Sequence, residues 1–277
     1  MILVTGATGN VGSELVRALS EAGKQVRALT HSPTDASVVP PGVEVVTGDL
    51  NRAQSLTAAL TGVDRIFLLP GYQDMPGMLT LARRTGVRQV VLLSGGSAAL
   101  ADLNNAVSRY MTLAEQAVRE SGMPWTLLRP RAFMSNALRW RPQLAAGDAI
   151  RVPFADVPAA VIDPYDIAAV AAQALITDDH EGRIHELTGP QPLLPADQVA
   201  VLAYVLGRDL RCQGLTDAQA REEMSRTMPP EYVDAFIDFY AEGTLDESTV
   251  FPTVREVTGH EPRTFEQWAR IHARAFH

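Results

Sequence analysis

Short unbroken apolar runs alternate along the chain with longer stretches whose apolar residues recur every three or four positions. A run at 2–5 ends in glycines, and Val11, Leu15 and Leu19 then follow at helical spacing towards Gly23, a residue suited to ending a helix. Runs at 26–29, 43–47, 66–69 and 90–93 predict four more strands, with helices at about 53–60 and 76–85 between the later ones. These strands are continuous Val, Ile and Leu rather than alternating, the pattern of strands covered by helices on both faces. A long helix at about 105–121 leads to a sixth strand at 125–129. After Pro130 the rhythm breaks, and residues 130–158 mix a helix-like stretch at 134–144 with an extended piece around Ile150 and Val152. A sheet element at 159–162, a helix at 164–175 and a strand at 184–187 then suggest a return to the sheet. One more helix (195–206) and strand (210–213) follow. Beyond Thr216 the pattern is purely helical, at 216–226, 230–241 and 264–275, the middle segment carrying Tyr232, Phe236, Phe239 and Tyr240.

The alternation predicts the α/β class: a Rossmann-like doubly wound parallel sheet with a small, mostly helical C-terminal lobe. Residues 1–150 are expected to bind a nucleotide. Residues 151–277 are expected to complete the sheet and supply a substrate-binding lobe, within one continuous structural unit.

The opening glycines give the scaffold its chemistry. In Thr5-Gly6-Ala7-Thr8-Gly9-Asn10-Val11-Gly12, Gly6 permits the tight turn after a strand. Gly9 lets backbone approach a pyrophosphate, and Gly12 lets helix and strand pack closely. The following helix N-terminus, at Thr8, Asn10 and Val11, offers unpaired N–H groups to phosphates. A dinucleotide site is expected here, NADP or NAD. At the end of the second strand, where an NAD site usually carries an acid, stand Thr30, His31 and Ser32, and the nearest carboxylate, Asp35, comes later. A 2′-phosphate would meet hydrogen-bond donors and no repulsion, which favours NADP. Arg27 is a further candidate partner if its side chain faces the cofactor.

Composition narrows the rest. A chain of 277 residues, 46% of them hydrophobic, can bury a full core. Its net charge of −8 and pI near 5.3 argue against a nucleic-acid partner. Cys212 is the only cysteine, which excludes an internal disulfide and a cysteine metal cluster, and the six histidines show no ligand spacing, so no metal is expected. No apolar run spans a membrane and no leader-like segment precedes the first strand, so a cytoplasmic protein is expected. Of the 24 basic residues 23 are arginine, and Lys24 lies far from the nucleotide end of the sheet. No lysine is therefore placed for Schiff-base or proton-transfer work, and arginine, with a pKa above ~12, cannot replace it as an acid or base. Gly-x-Ser-x-Gly and a P-loop lysine are both absent.

Further motifs follow the glycine loop in order: Gly48-Asp49-Leu50, Leu68-Leu69-Pro70-Gly71, Leu93-Ser94, Ala114-Glu115, the run from Ser121 to Pro130, Phe133-Met134-Ser135-Asn136, and Ile162-Asp163-Pro164-Tyr165-Asp166-Ile167. Together they resemble the NmrA-like atypical subgroup of the short-chain dehydrogenase/reductase superfamily. The resemblance implies NAD(P) binding, in proteins that reduce quinones, azo or triphenylmethane dyes, or that sense redox state without catalysis. It places Asp49 and Leu50 by the adenine, and Leu69, Pro70 and Gly71 along the cofactor. Asp49 has an alternative as a helix cap. Two departures stand out: the superfamily's Tyr-x-x-x-Lys would need Lys where Ala114 follows Tyr110, and Arg131 replaces the glycine that often follows Arg-Pro.

Candidate catalytic groups are Ser94, at the end of the fifth strand beside the small Gly95 and Gly96, and Arg109 and Tyr110 on the long helix. Ser94 would contact cofactor and substrate or merely cap a loop. Arg109 would hold an oxyanion, pair with Glu115 or Glu120, or face solvent. Tyr110 lacks a neighbouring cation to bring its pKa down from ~10, and core packing is its alternative. Tyr72, Arg131, Phe133, Met134 and Asn136 are candidate contacts for a planar or conjugated small molecule, with core packing as the alternative for Met134 and for Trp140. Asp163 and Asp166 flank Pro164 at a helix start, where capping suffices to explain them. The expected function is an NAD(P)H-dependent oxidoreductase, NADPH-preferring, that passes hydride to a conjugated carbonyl or quinone without a Tyr-Lys dyad. The alternatives are a non-catalytic NADP(H)-sensing regulator with a protein partner, and a ketoreductase, dehydratase or epimerase. The sequence leaves a homodimer open.

Overall fold

The computed structural model describes residues 1–32 and 39–276. Its main sheet joins β1 (Ile2–Val4), β2 (Val26–Thr30), β3 (Glu44–Thr47), β4 (Arg65–Leu68), β5 (Gln89–Leu93), β6 (Trp125–Pro130) and β8 (Arg183–Leu187). The seven strands run parallel in the order β3-β2-β1-β4-β5-β6-β8. The chain crosses from one side of β1 to the other between β3 and β4, and that switch opens the crevice at the strands' carboxyl ends.

Neighbouring strand residues point to opposite faces, and both faces are apolar because each is covered. Val4, Val91 and Leu93 pack with helices α1 (Asn10–Glu21) and α6 (Pro164–Ile176). Leu3, Ile66, Leu68 and Leu92 face α2 (Thr57–Leu60), α3 (Met75–Arg84) and α4 (Ala106–Glu120). Since α6 lies beyond residue 150 and shares its core with α1, residues 1–150 and 151–277 contribute to one interior.

Past β6 the chain forms a 3-10 turn (Met134–Trp140), α5 (Arg141–Ala146) and β7 (Ala149–Val152). Residues 159–162, expected as a sheet element, make only isolated bridges, Phe133 to Ile162 and Ala159 to Leu193. After α7 (Pro195–Leu206), β9 (Arg211–Gly214), at the strand expected over 210–213, pairs in parallel with β7 rather than joining the main sheet, so a two-stranded sheet sits in the mostly helical lobe. It continues through α8 (Asp217–Met224), α9 (Pro230–Tyr240), α10 (Thr253–Thr258) and α11 (Phe265–His272). Its own core gathers Met134, Leu144, Ile150, Phe265 and Trp268.

Two devices dock the lobe on the sheet. Asn105 caps α4 through Oδ1, accepting from Val107 and Ser108 N–H, while its Nδ2 donates to Ala235 O (3.2 Å) and Asp238 Oδ2 (2.8 Å) of α9. Glu247, in the segment after α9, accepts at Oε2 from Ala132 N (2.7 Å), and its carbonyl accepts from Ala160 N (2.7 Å).

Candidate cofactor cleft and active site

Gly6 has φ +60°, the left-handed region a turn needs here. A Cβ on Gly12 would fall 2.1 Å from the Gly6 carbonyl oxygen, so α1 rests directly on the turn. Gly9 is the extended N-cap of α1, with no side-chain cap and no acidic residue in the first turn, and Thr8, Gly9 and Asn10 are exposed. The uncapped N–H groups therefore face open space with the positive end of the helix dipole behind them. Thr5 Oγ1 accepts from Leu69 N (3.0 Å), tying the ends of β1 and β4, and Asn10 Nδ2 donates to Ser135 Oγ (3.2 Å) of the 3-10 turn. A Cβ at Gly6 would strike the Leu69 side chain at 2.4 Å as one at Gly12 would strike the turn, so glycine at both places lets turn, helix and β4 close together behind exposed N–H groups whose chemistry fits a pyrophosphate.

Asp49 is not a helix cap. Its Oδ1 accepts from Asn51 N (2.9 Å), a local turn, and Asn51 Oδ1 in turn accepts from Gln73 N (3.2 Å), linking the loops after β3 and β4. Leu50 and Leu69 are half-buried against the two cores. Gly71 has φ +92°, and a Cβ there would fall 1.9 Å from Tyr110 Oη. Tyr110 donates to Pro70 O (3.0 Å), and burial pushes its pKa above the ordinary phenol value. Tyr72 lies alongside, its phenol facing Thr5 and likewise raised by burial. Gly71, Tyr72 and Tyr110 line a cavity of about 490 Å³ between α3 and α4.

Several expectations are corrected by what the side chains touch. Ser94 is 4% exposed, and its hydroxyl donates to Glu115 Oε1 (2.7 Å) on α4 instead of facing the cleft. Strand alternation is the reason: Leu93 faces α1, so Ser94 faces α4. Arg129 clamps the same carboxylate through Nε (2.8 Å) and Nη2 (2.7 Å) and reaches Glu186 Oε1 at 3.3 Å. Arg109 pairs with neither Glu115 nor Glu120; it donates to Leu103 O (3.1 Å) and lies 4.0 Å from Glu231 of α9. Thr30 is buried, its hydroxyl donating to Ser32 O (3.1 Å), so its proton is spent on the loop itself. Arg27 turns from the cofactor side, donating to Ala59 O and Thr61 O (2.7 Å each) beside Glu44 (3.0 Å). His31 is exposed and Ser32 half-buried, while Asp35 lies outside the described residues.

Among the substrate candidates, Met134 is 1% exposed in the lobe core and Phe133 packs against the sheet core. Arg131 is buried beneath Gly96, where a Cβ would fall 1.9 Å from Nη1. Its Nη1 lies 3.5 Å from Glu186 Oε2, and Nε and Nη1 have no hydrogen-bond partner. Asn136 is exposed and lines a second cavity. Asp163 caps α6 as expected, accepting from Tyr165 N (2.9 Å). Asp166 is fully buried and accepts from Arg263 N (2.8 Å); burial raises its pKa to about 6. The sequence alone did not single out Arg129 and Glu186, which join Glu115 and Arg131 in one partly buried network, nor Glu247, which lies nearby on Ala132 N. Arg129 carried a signal, since a lone charge inside an apolar strand demands a buried partner.

The chain's residues 6–178 match a family model described as NAD(P)H-binding. It belongs to this NAD(P)H-binding family. Over its whole length it is 41% identical to the (4-alkanoyl-5-oxo-2,5-dihydrofuran-3-yl)methyl phosphate reductase of Streptomyces griseus, covering 99% of that protein. It is 38% identical to the NAD(P)H azoreductase of Xenophilus azovorans, again covering all of this chain and 99% of the relative. The NADPH-dependent quinone oxidoreductase of Escherichia coli, solved with NADPH, superposes with a TM-score of 0.81 at 24% identity, over 97% of this chain and 98% of that one, and shows the same fold. The family member is thus an NAD(P)H-dependent oxidoreductase acting on a small molecule, as its NmrA-like atypical motifs implied, and the regulator reading is not favoured. Among the described residues no helix is long and apolar enough to cross a membrane.

Proposed function

We propose that the protein uses NADPH in preference to NADH to reduce a planar acceptor whose double bond is conjugated to a carbonyl. The observation that carries this reading is that, among the described residues, no acid-base pair stands beside the cleft. Ala114 stands where a lysine would activate Tyr110. The Ser94 hydroxyl is spent on Glu115, and the Tyr110 phenol is engaged with Pro70 and held protonated by burial. Such a site suits a reaction that needs alignment more than a positioned acid. Bound nicotinamide supplies hydride, the acceptor's own conjugation spreads the resulting charge, and water supplies the proton.

In this reading Gly6, Thr8, Gly9, Asn10, Val11 and Gly12 hold the pyrophosphate. Asp49, with Oδ2 left over from its turn, and Leu50 hold the adenine; Leu69, Pro70 and Gly71 flank the ribose and nicotinamide. His31 and Ser32, with no carboxylate at the end of β2, receive a 2′-phosphate. Tyr72 and Asn136 touch the acceptor. The relatives' names support the acceptor class: an azo compound, a quinone, and an acylated unsaturated lactone that also carries a phosphate ester.

The test mixes purified protein with NADPH or NADH and a panel of quinones, an azo dye and an acylated butenolide, following absorbance of the reduced cofactor. Turnover of at least one conjugated acceptor, faster with NADPH, is expected. Cofactor binding without turnover of any acceptor would return the regulator to favour, and equal rates with NADH would remove the preference.

A further inference from the structure

The 3-10 turn Met134–Trp140 has two faces. One carries Met134 into the lobe core; the other turns Asn136 and Arg139 towards a cavity of about 300 Å³, while Ala137 and Trp140 lie between, packing on the lobe core and lining the same cavity, which is closed opposite by Met224 at the end of α8 and by Thr227 and Met228 just after it. The volume is at the lower end of the range for small-molecule pockets. The turn also abuts the cofactor loop, because Ser135, next to Asn136, accepts from Asn10.

The cavity's chemistry is divided. Trp140, Met224 and Met228 present an indole and two thioethers, adaptable apolar surface that fits an alkyl chain. The charged groups do not cancel. Arg151 Nη2 pairs with Glu223 Oε1 at 2.6 Å, whereas Arg139 forms no ion pair or hydrogen bond with a described residue. One guanidinium therefore remains beside an apolar wall, in a chain whose net charge is −8. A quinone or a neutral lactone has no use for that cation, whereas a phosphate monoester matches its planar fork with two parallel hydrogen bonds.

Resting on the reductase reading above, we propose that this cavity is an anchoring subsite for an acceptor bearing a phosphate ester and an alkyl or acyl chain, with Arg139 on the phosphate and Trp140, Met224 and Met228 on the chain. Binding energy from these remote groups then holds the conjugated part of the acceptor in the cleft, a contribution that a site without an acid-base pair depends on.

The probe is n-hexyl phosphate, which cannot be reduced, titrated by calorimetry into protein saturated with NADP⁺ so that the glycine loop is already filled. Measurable binding is expected, at least tenfold weakened by Arg139→Gln and partly restored by Arg139→Lys, with unchanged unfolding midpoints showing that the variants fold. Inorganic phosphate and 1-hexanol, each carrying half of the recognition, are expected to bind at least tenfold more weakly than the ester. In kinetics, Arg139→Gln should lower the ratio of kcat/KM for a phosphorylated over an unphosphorylated butenolide about tenfold. Equal hexyl phosphate affinity in wild type and Arg139→Gln, or an unchanged kcat/KM ratio, overturns the subsite. Absence of turnover with every acceptor overturns the reductase reading instead, and leaves the calorimetric result to be judged alone.

Discussion

Gly9 separates binding from folding at the scale of one residue. Its backbone is extended, a conformation valine adopts freely, and a Cβ would sit 3.2 Å from the Gly6 carbonyl oxygen, tight but tolerable. The valine methyls would cover the N–H groups at the start of α1. Gly9→Val is expected to fold with a near-native midpoint and to lose NADPH affinity by roughly 100-fold, about 3 kcal/mol, as read by fluorescence titration. Unchanged affinity would remove the loop from the cofactor site. Two groups with large shifts pull the acid response in opposite directions, the buried Asp166 and the half-buried His185. Asp166, raised to about 6 by burial, keeps its proton in the folded state after the unfolded chain has released it, so its contribution to stability falls as pH rises from about 4 to about 6. His185 has the opposite sign: burial lowers it to about 4, so the unfolded chain binds the extra proton and stability rises with pH from about 4 to about 6.5. The two slopes oppose each other in wild type. Urea unfolding across that range should show stability climbing with pH in Asp166→Asn and declining with pH in His185→Gln; parallel profiles in both would refute the assignment.

At the scale of elements, the sheet and the glycine loop were legible because their causes are local. Continuous Val, Ile and Leu runs announce two-sided burial, and in the glycine loop the positive φ of Gly6 and the backbone contact at Gly12 call for glycine. What failed depended on distant partners. The hydroxyl of Ser94 is taken up by Glu115, itself held by Arg129, on elements the local pattern cannot place beside it, and Arg109 extends towards Glu231 of α9 beyond its bond to Leu103 O. In the same way β9 reads as a strand, yet only its pairing with β7 shows that it leaves the main sheet. The six-residue α10 was missed because its pattern is too short to have a period. The bond from β5 and β6 to α4 through Glu115 gives a direct expectation. Glu115→Ala removes both close bonds of the largely buried Arg129, leaving it only Glu186 at 3.3 Å, and leaves the Ser94 hydroxyl without its acceptor. It should cost about 3–5 kcal/mol in chemical denaturation, while Ser94→Ala, which removes only a donor, should cost about 1 kcal/mol. Equal costs would mean that the network is not organised around the carboxylate.

For the whole molecule, the core on the α1 and α6 side joins residues from both ends of the chain: Ile2 of β1 lies in the same buried cluster as Val254 of α10, and β8, the seventh strand, is supplied only after residue 182. Parallel pairing already makes every strand wait for a crossover, and long-range closure is the slow step of such topologies. During synthesis, then, the nucleotide-binding sequence emerges first but cannot finish its own interior. Ribosome-bound chains stalled before residue 253 are expected to stay protease-sensitive even with NADPH present, and chains extended past 276 to become resistant together at the glycine loop and in the lobe. Protection of the first half in the shorter chains would show that it closes alone. The cofactor is thus expected to have no folded receiver until α10 has emerged, so its rescue of a marginal variant by mass action would act on chains that already include the lobe rather than on shorter nascent ones.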